Sequence, residues 1–580
     1  MHRHGAHSMD ATSARFALWA PDARNVSVEI QGQPAVTLLP EHDGWFAGIA
    51  PCTPGDRYFF KIDDELKVAD PASRYQPEGV HGPSEIVELS HYSWEHPWQG
   101  RPWHEAVIQE LHVGVLGGYQ GVAQQLPRLA ELGITAIELM PVNQFPGERN
   151  WGYDGALPFA PQHTYGSPAD LCHLVDQAHS HGLMVMLDVV YNHFGPDGNF
   201  LPQYASTFFR EDRQTPWGAA IDFRRPEVRE FFIQNALMWL CDYRIDGLRL
   251  DAVHAINQPD FLVELAARVR EAVEPGRQVW LVLENEHNQA ALLEQGFDAQ
   301  WNDDGHNALH VLLTDETEGY YEDYKDQPIA KLARCLGEGF VFQGQPNRKG
   351  EPRGEPSGHL PPSAFVLFLQ NHDQIGNRAL GERLTRLCPP QALRAATGLL
   401  LLSPMIPLLF MGDEEGSCRP FLFFTDFHDE LADAVREGRR AEFEHFAAFA
   451  DPEKREHIPD PNALDTFTAS HPAGKQVLAG WHGLYHQLLH IRQRTLMPRL
   501  VGSRALGAEV IGEKALTARW RLGDGSELRI DLNLGPAAQP ITLPGADSRL
   551  FDSSDNAHPD STLAAYSCVV SLLSPRQETP

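Results

Sequence analysis

Residues 246–254 read DGLRLDAVH. Leu248 and Leu250 alternate with Arg249 and Asp251, a period of two that predicts a strand with one apolar and one charged face. Arg249 and Asp251 therefore project into the same space. Charge is expensive to bury unless it is paired or meets something polar. A structural ion pair would account for this stretch taken alone, so its meaning depends on what the other strands bring to the same place.

Similar short apolar runs occur on both sides of it. They are AVIQEL (106–111), AIELM (136–140), MVMLDVV (184–190), VWLVLE (279–284), FDAQW (297–301), AFVLFLQNHD (364–373) and IPLLFM (406–411). Helical patterns lie between them, among them PADLCHLVDQAHSHG and PEVREFFIQNALMWLCDY. Eight strands alternating with helices predict either a closed (β/α)8 TIM barrel or a doubly wound open sheet. The first strand–helix turn has no GxGxxG, and the polar residues fall at the C-terminal ends of several strands, where barrel enzymes carry their catalysts. The barrel is expected over residues 96–495.

The expected fold is multidomain around that barrel. Alternating runs such as RFALWA, VSVEI and RYFFKI predict an N-terminal β-sandwich over 14–95, of the E-set or carbohydrate-binding kind. ALTARWRL, SELRIDLNL and SCVVSLL predict a C-terminal antiparallel β domain over 496–580. Residues 1–13 have no apolar core segment and are expected to form a disordered tail. The Gly/Pro-rich QGQPNRKGEPRGEPSGHLPP (343–362) lacks a periodic apolar face and is expected to be an exposed loop.

Composition narrows the partners. With 47 basic and 78 acidic residues the formal charge is −31, which repels phosphate backbones and anionic lipid, so neither nucleic acid nor membrane is an expected partner. The seven cysteines are scattered and include no CxxC pair, which argues against zinc and disulfide frameworks and fits a reducing cytoplasm. The acidic stretches EDYKDQ and WNDDG lack the ligand spacing of a calcium loop, so no metal and no cofactor is expected.

Carboxylates close several of the predicted strands. Asp188 is followed by Asn192 and His193, Glu284 ends the fifth strand, and His372 and Asp373 follow the seventh. Together with Asp251 they would converge on one barrel mouth, a repulsive arrangement that packing does not explain. Glycoside hydrolysis needs such a set: an ionised carboxylate as nucleophile and a protonated one as acid. Arg249 would keep Asp251 ionised, and crowding by acids would keep the proton on Glu284.

As a set and in order, DVVYNH, GLRLDAVH, LVLEN and QNHDQ resemble the four short motifs of the α-amylase clan of glycoside hydrolases (family 13). The resemblance implies that Asp251 is the nucleophile, Glu284 the general acid/base and Asp373 a third catalytic carboxylate gripping sugar hydroxyls. It implies sugar contacts from His193, Arg249 and His372, and an aromatic platform from Tyr153 in WGYDGALPFAPQHTYG. His254, Asp303, Asp304 and Gln374 follow as further substrate-binding residues. Within the clan, YNHFGPDGNFL, TPWGAAIDF and PFLFFTDFHDELADAVREGRRAEF resemble the maltooligosyltrehalose trehalohydrolases. Branching enzymes share the layout but carry a Ser-His-Asp-Glu signature where this chain has Asn371-His372-Asp373-Gln374. The implied substrate is the oligosaccharide maltooligosyl trehalose, supplied by a maltooligosyltrehalose synthase. Branching or debranching of glucan is the alternative. WNDDGHN and MGDEEGS depart from the pattern after the sixth and eighth strands.

Overall fold

The computed structural model describes residues 4–90, 92–215, 218–554 and 559–575. Eight parallel strands close on themselves: β1 (Ile108–Leu111), β2 (Ala136–Leu139), β3 (Met184–Val189), β4 (Gly247–Leu250), β5 (Trp280–Leu283), β6 (Ala299–Trp301), β7 (Phe365–Phe368) and β8 (Ile406–Phe410). All their residues are buried, as expected of parallel strands covered by helices outside and by one another within. Register places Glu110 beside Glu138, Asp188 beside Arg249 and Arg249 beside Val282, while β8 returns to β1 with Leu408 beside Ile108.

The barrel interior is divided along its axis. Ile108, Met184, Met186, Trp280, Val282 and Val366 belong to an apolar cluster in its lower part. Trp98 and Trp103, from the join after the N-terminal domain, pack on that cluster, and their indole N–H groups bond Asp246 Oδ1 (3.1 Å) and the Ser363 carbonyl (2.7 Å). Burying each such large apolar side chain contributes roughly 1.5–3 kcal/mol, which offsets the cost of the polar layer above. That layer holds Glu110, Glu138, Asp188 and Arg249, all buried.

The N-terminal domain packs two sheets around Phe16, Val28, Trp45, Tyr58 and Phe60. One expectation fails here. Gly5–Asp10 is not a disordered tail but an edge strand paired with Ser13–Trp19. The His4 ring packs edge-on against Trp45 (4.6 Å) and Phe231 (5.1 Å), and its backbone N–H donates to Gln234 Oε1 at 3.2 Å. Residues 1–3 of the expected tail lie outside the described residues. The C-terminal domain is a five-stranded antiparallel sheet built from Arg504–Gly512, Ala515–Arg521, Glu527–Asn533, Ser567–Leu573 and Arg549–Asp552. It packs on helix Pro390–Leu402, where Gly398 leaves room for Phe551 and Cys568; a Cβ there would sit 2.9 Å from the Phe551 ring.

Candidate active site

Above Leu250 the sheet bonding continues. Asp251 N–H donates to the Val189 carbonyl, Glu284 N–H to Leu250 and Val253 N–H to Glu284, each at 3.0 Å. The ends of β4 and β5 thus hold Asp251 and Glu284 by backbone bonds. Between them Ala252 takes a left-handed conformation (φ 41°), a cost of roughly 1–2 kcal/mol for a residue with a Cβ. That turn aims the Ala252 N–H at Glu284 Oε2, 2.8 Å away.

Arg249 organises the carboxylates from below. Its Nη1 donates to Asp188 Oδ2 (2.6 Å) and Asp251 Oδ1 (2.7 Å), and its Nη2 to Glu284 Oε2 (2.7 Å). The guanidinium lies over the Trp301 ring, 4.1 Å from its centroid. Both of its terminal nitrogens are taken by these acids and its side chain is 0% exposed, so the structure offers no Arg249 donor for the expected sugar contact. The guanidinium is enclosed by its three acids and Trp301, so Arg249 acts through the acids.

One cation cannot neutralise three buried anions. Burial pushes the Glu284 carboxyl well above the usual range, and the charges of Asp251, Asp373 and Asp303 add to this against the pull of Arg249. Burial also works against ionisation of Asp251, but Arg249, His193, an Asn192 hydrogen bond and one from Glu284 hold it below the ordinary carboxylate range. Asn192 Nδ2 donates to both Asp251 Oδ2 and the Asp251 carbonyl at 2.9 Å. Burial pushes Asp188 up to about 6 against Arg249, and the Tyr153 hydroxyl donates to Asp188 Oδ2 at 2.6 Å.

Most of the expected residues assemble around this core. The Tyr153 ring lies nearly parallel to His372, centroids 5.1 Å apart. His193 sets Nδ1 against the Asn192 amide oxygen and Nε2 2.9 Å from the Tyr153 carbonyl. Asp373 is partly exposed in the first turn of the short helix His372–Gly376, takes a bond from Asn377 Nδ2 (3.1 Å) and faces His372 Nε2 at 3.5 Å. Asp303, half-buried, is pushed up to about 7 by burial and by Asp304 and Asp373 despite Arg353. His254 lies to one side, its Nδ1 accepting from Glu286 N–H at 3.5 Å. Gln374 is half-buried, and its backbone N–H donates to Asn371 Oδ1 at 3.0 Å.

Asp304 does not belong with them. It is 0% exposed, and its Oδ2 accepts from Asn288 Nδ2 (2.9 Å) and the N–H groups of Val341 (2.7 Å) and Phe342 (3.0 Å). Its Oδ1 takes the Tyr324 hydroxyl and pairs with Arg353 Nη2 at 3.1 Å. With both oxygens occupied from inside, it anchors a loop and cannot bind sugar. Two of the three acids of MGDEEGS are also internal: Asp413 pairs with Arg383 and Glu414 with Arg128, while Glu415 is partly exposed.

Two residues were missed in the sequence. Arg353 lies in the 343–362 stretch, which forms a small exposed hairpin (Gln345–Pro346 with Pro352–Arg353) rather than a plain loop, yet turns this side chain inward to Asp304. No local pattern marks it. Glu110 of β1 bonds His372; its position two residues after the inward Ile108 was the available signal. Among the described residues, no group of three or more His, Cys, Asp or Glu side chains could hold a metal ion.

Known proteins agree with this architecture. The model for the alpha amylase catalytic domain matches residues 84–217, and a domain of unknown function, DUF3459, matches 503–570. A Salmonella typhimurium crystal structure named for alpha amylase is 41% identical and superposes with a TM-score of 0.92, covering 99% of this chain and 100% of its own. The malto-oligosyltrehalose trehalohydrolase of Saccharolobus solfataricus is 40% identical over 75% of this chain and 80% of its own length. That of Deinococcus radiodurans is 42% identical over 91% of this chain and 90% of its own. Kinship at this level over nearly the whole length, with the acids of the four motifs gathered at one barrel mouth, places the chain in the malto-oligosyltrehalose trehalohydrolase family.

Proposed function

We propose that the chain is a retaining glycosidase that hydrolyses the α-1,4 bond between a maltooligosaccharide and its terminal trehalose, releasing trehalose. Asp251 attacks the anomeric carbon while Glu284 gives its proton to the departing trehalose oxygen, leaving a glycosyl ester on Asp251. The Glu284 carboxylate then takes a proton from water, which cleaves the ester and restores both groups. Asp373 grips the hydroxyls of the sugar in the cleaved position, His193 and His372 contact that sugar, and Tyr153 lies beneath it. Asp303, His254 and Gln374 line the approach.

The observation that carries this reading is the pair of carboxyls on one guanidinium, Asp251 Oδ1 and Glu284 Oε2 each 2.7 Å from Arg249, with surroundings that push Asp251 below and Glu284 above the ordinary carboxylate range. Both bond one guanidinium, a spacing that suits attack by Asp251 itself rather than by an intervening water. Incubation with maltotriosyl trehalose, with maltoheptaose and with a branched glucan tests it. Free trehalose from the first is expected. Altered α-1,6 linkages without trehalose would instead identify a branching or debranching enzyme.

The substrate's trehalose end places the reaction after a maltooligosyltrehalose synthase. All seven cysteines are unpaired, which supports a reducing, cytoplasmic setting. No helix among the described residues is long and apolar enough to cross a membrane.

A further inference from the structure

His372 is held from beneath by a residue outside the four motifs. Glu110 Oε2 accepts the His372 backbone N–H at 3.0 Å, and Oε1 meets the ring at Nδ1. Both side chains are 1% exposed. The ring is further clamped by Tyr153 on its face and by Trp151 edge-on at 5.4 Å. Only Nε2 is left to turn toward the mouth, where Asp373 lies 3.5 Å away.

We propose that Glu110 is a positioning residue: by engaging His372 through both oxygens it fixes the orientation and the charge of that ring, so that Nε2 is offered to the sugar as a protonated donor. This rests on the reading that His372 meets the sugar in the cleaved position. A charged donor makes a shorter and stronger hydrogen bond to a hydroxyl than a neutral one, and such bonds strengthen as the oxocarbenium-like transition state forms.

The surroundings are consistent with that charge. Burial and Arg249 oppose a cation on His372, but the Glu110 and Asp373 carboxylates and the Glu110 hydrogen bond outweigh them and raise it to about 9. His112, which also faces the ring, is depressed to about 4 by its own burial and adds no charge at neutral pH. Glu138 stands beside Glu110 on β2, and among the described residues neither of its buried oxygens has a hydrogen-bond partner. Burial, then Glu110 and Asp188, push its carboxyl well above the ordinary carboxylate range, and the oxygens that meet His372 are those of Glu110.

The test is a pH titration of histidine-labelled protein by NMR, with the His372 resonance assigned by its loss in His372→Gln. Glu110→Gln is expected to lower the His372 pKa by roughly 1–3 units and to move the alkaline limb of kcat/KM for trehalose release down with it. Glu138→Gln alters a carboxyl that makes no hydrogen bond to His372 and is expected to leave both unchanged. An unaltered His372 in Glu110→Gln, or an equal shift in Glu138→Gln, overturns the proposal. If Glu110→Gln does not fold, the wild-type titration decides: a His372 that is neutral at pH 7 overturns it. Absence of trehalose release by the wild type would refute the functional reading separately, since the titration requires no turnover.

Discussion

Asp251 and Glu284, on successive strands and 33 positions apart in the chain, accept hydrogen bonds from the two terminal nitrogens of one arginine, each at 2.7 Å. Arg249 supplies one positive charge to a buried space that also contains Asp188. The three acids cannot all ionise there, and the surroundings assign the proton to Glu284. Acid and nucleophile thus share one scaffold group, and their protons come off as properties of the pair.

If Glu284 is the proton donor, its loss should matter most for poor leaving groups. Glu284→Gln is expected to lower kcat for maltotriosyl trehalose by roughly 10²- to 10⁴-fold. With α-maltosyl fluoride, whose leaving group needs no proton, formation of the glycosyl-enzyme should suffer far less. Equal losses on the two substrates would remove Glu284 from the role.

The pH profile follows from the two opposite shifts. Asp251 lies below its ordinary value of 3.8, so it stays ionised into acid and activity falls only as pH drops into that lowered range. Glu284 lies well above 4.5, so activity is lost only as pH rises through that raised pKa. A bell-shaped kcat/KM with a broad acid shoulder is expected. A single alkaline optimum would contradict the assignment.

Arg249→Met leaves Asp188, Asp251 and Glu284 buried without their cation. Removing one partner of a buried ion pair costs about 3–5 kcal/mol, which urea unfolding at pH 7 would register. In the wild type, the depressed Asp251 contributes stability that is present above its unfolded pKa and lost as pH falls through the folded one. In the variant the acids take up protons more readily when folded, so its deficit should shrink between pH 7 and pH 5. A deficit independent of pH would mean that the loss is one of packing.

Asp304 and Asp373 should separate stability from catalysis. Asp304→Asn weakens an anchor made of two backbone N–H groups, Asn288, Tyr324 and Arg353, and is expected to cost about 1–3 kcal/mol with less than about a tenfold fall in kcat. Asp373→Asn should leave the melting temperature nearly unchanged and reduce kcat at least about a hundredfold. The reverse pattern would restore Asp304 to the site.

Much of this was legible locally. In LRLD a period of two already shows that Arg249 and Asp251 share a face, and the eight apolar runs place Asp188, Glu284 and Asp373 at comparable strand ends. The strand at Gly5–Asp10 was not legible, because GAHSMD has little apolar content and is ordered by pairing and by His4 against Trp45 and Phe231. Nor was the difference between Asp303 and Asp304. They are adjacent in the chain, and a helical turn sends one to the mouth and the other inward to Arg353.

By itself, then, the chain determined the barrel, its flanking β domains and the chemical types present at the mouth, since these follow from periodicity and side-chain identity. The tertiary structure decided which acid keeps a proton, which residues meet solvent, and that Glu110, 262 positions before His372, lies beneath it. Protonation depends on burial and on neighbouring charges, and closing the barrel is what brings those neighbours together from distant strands.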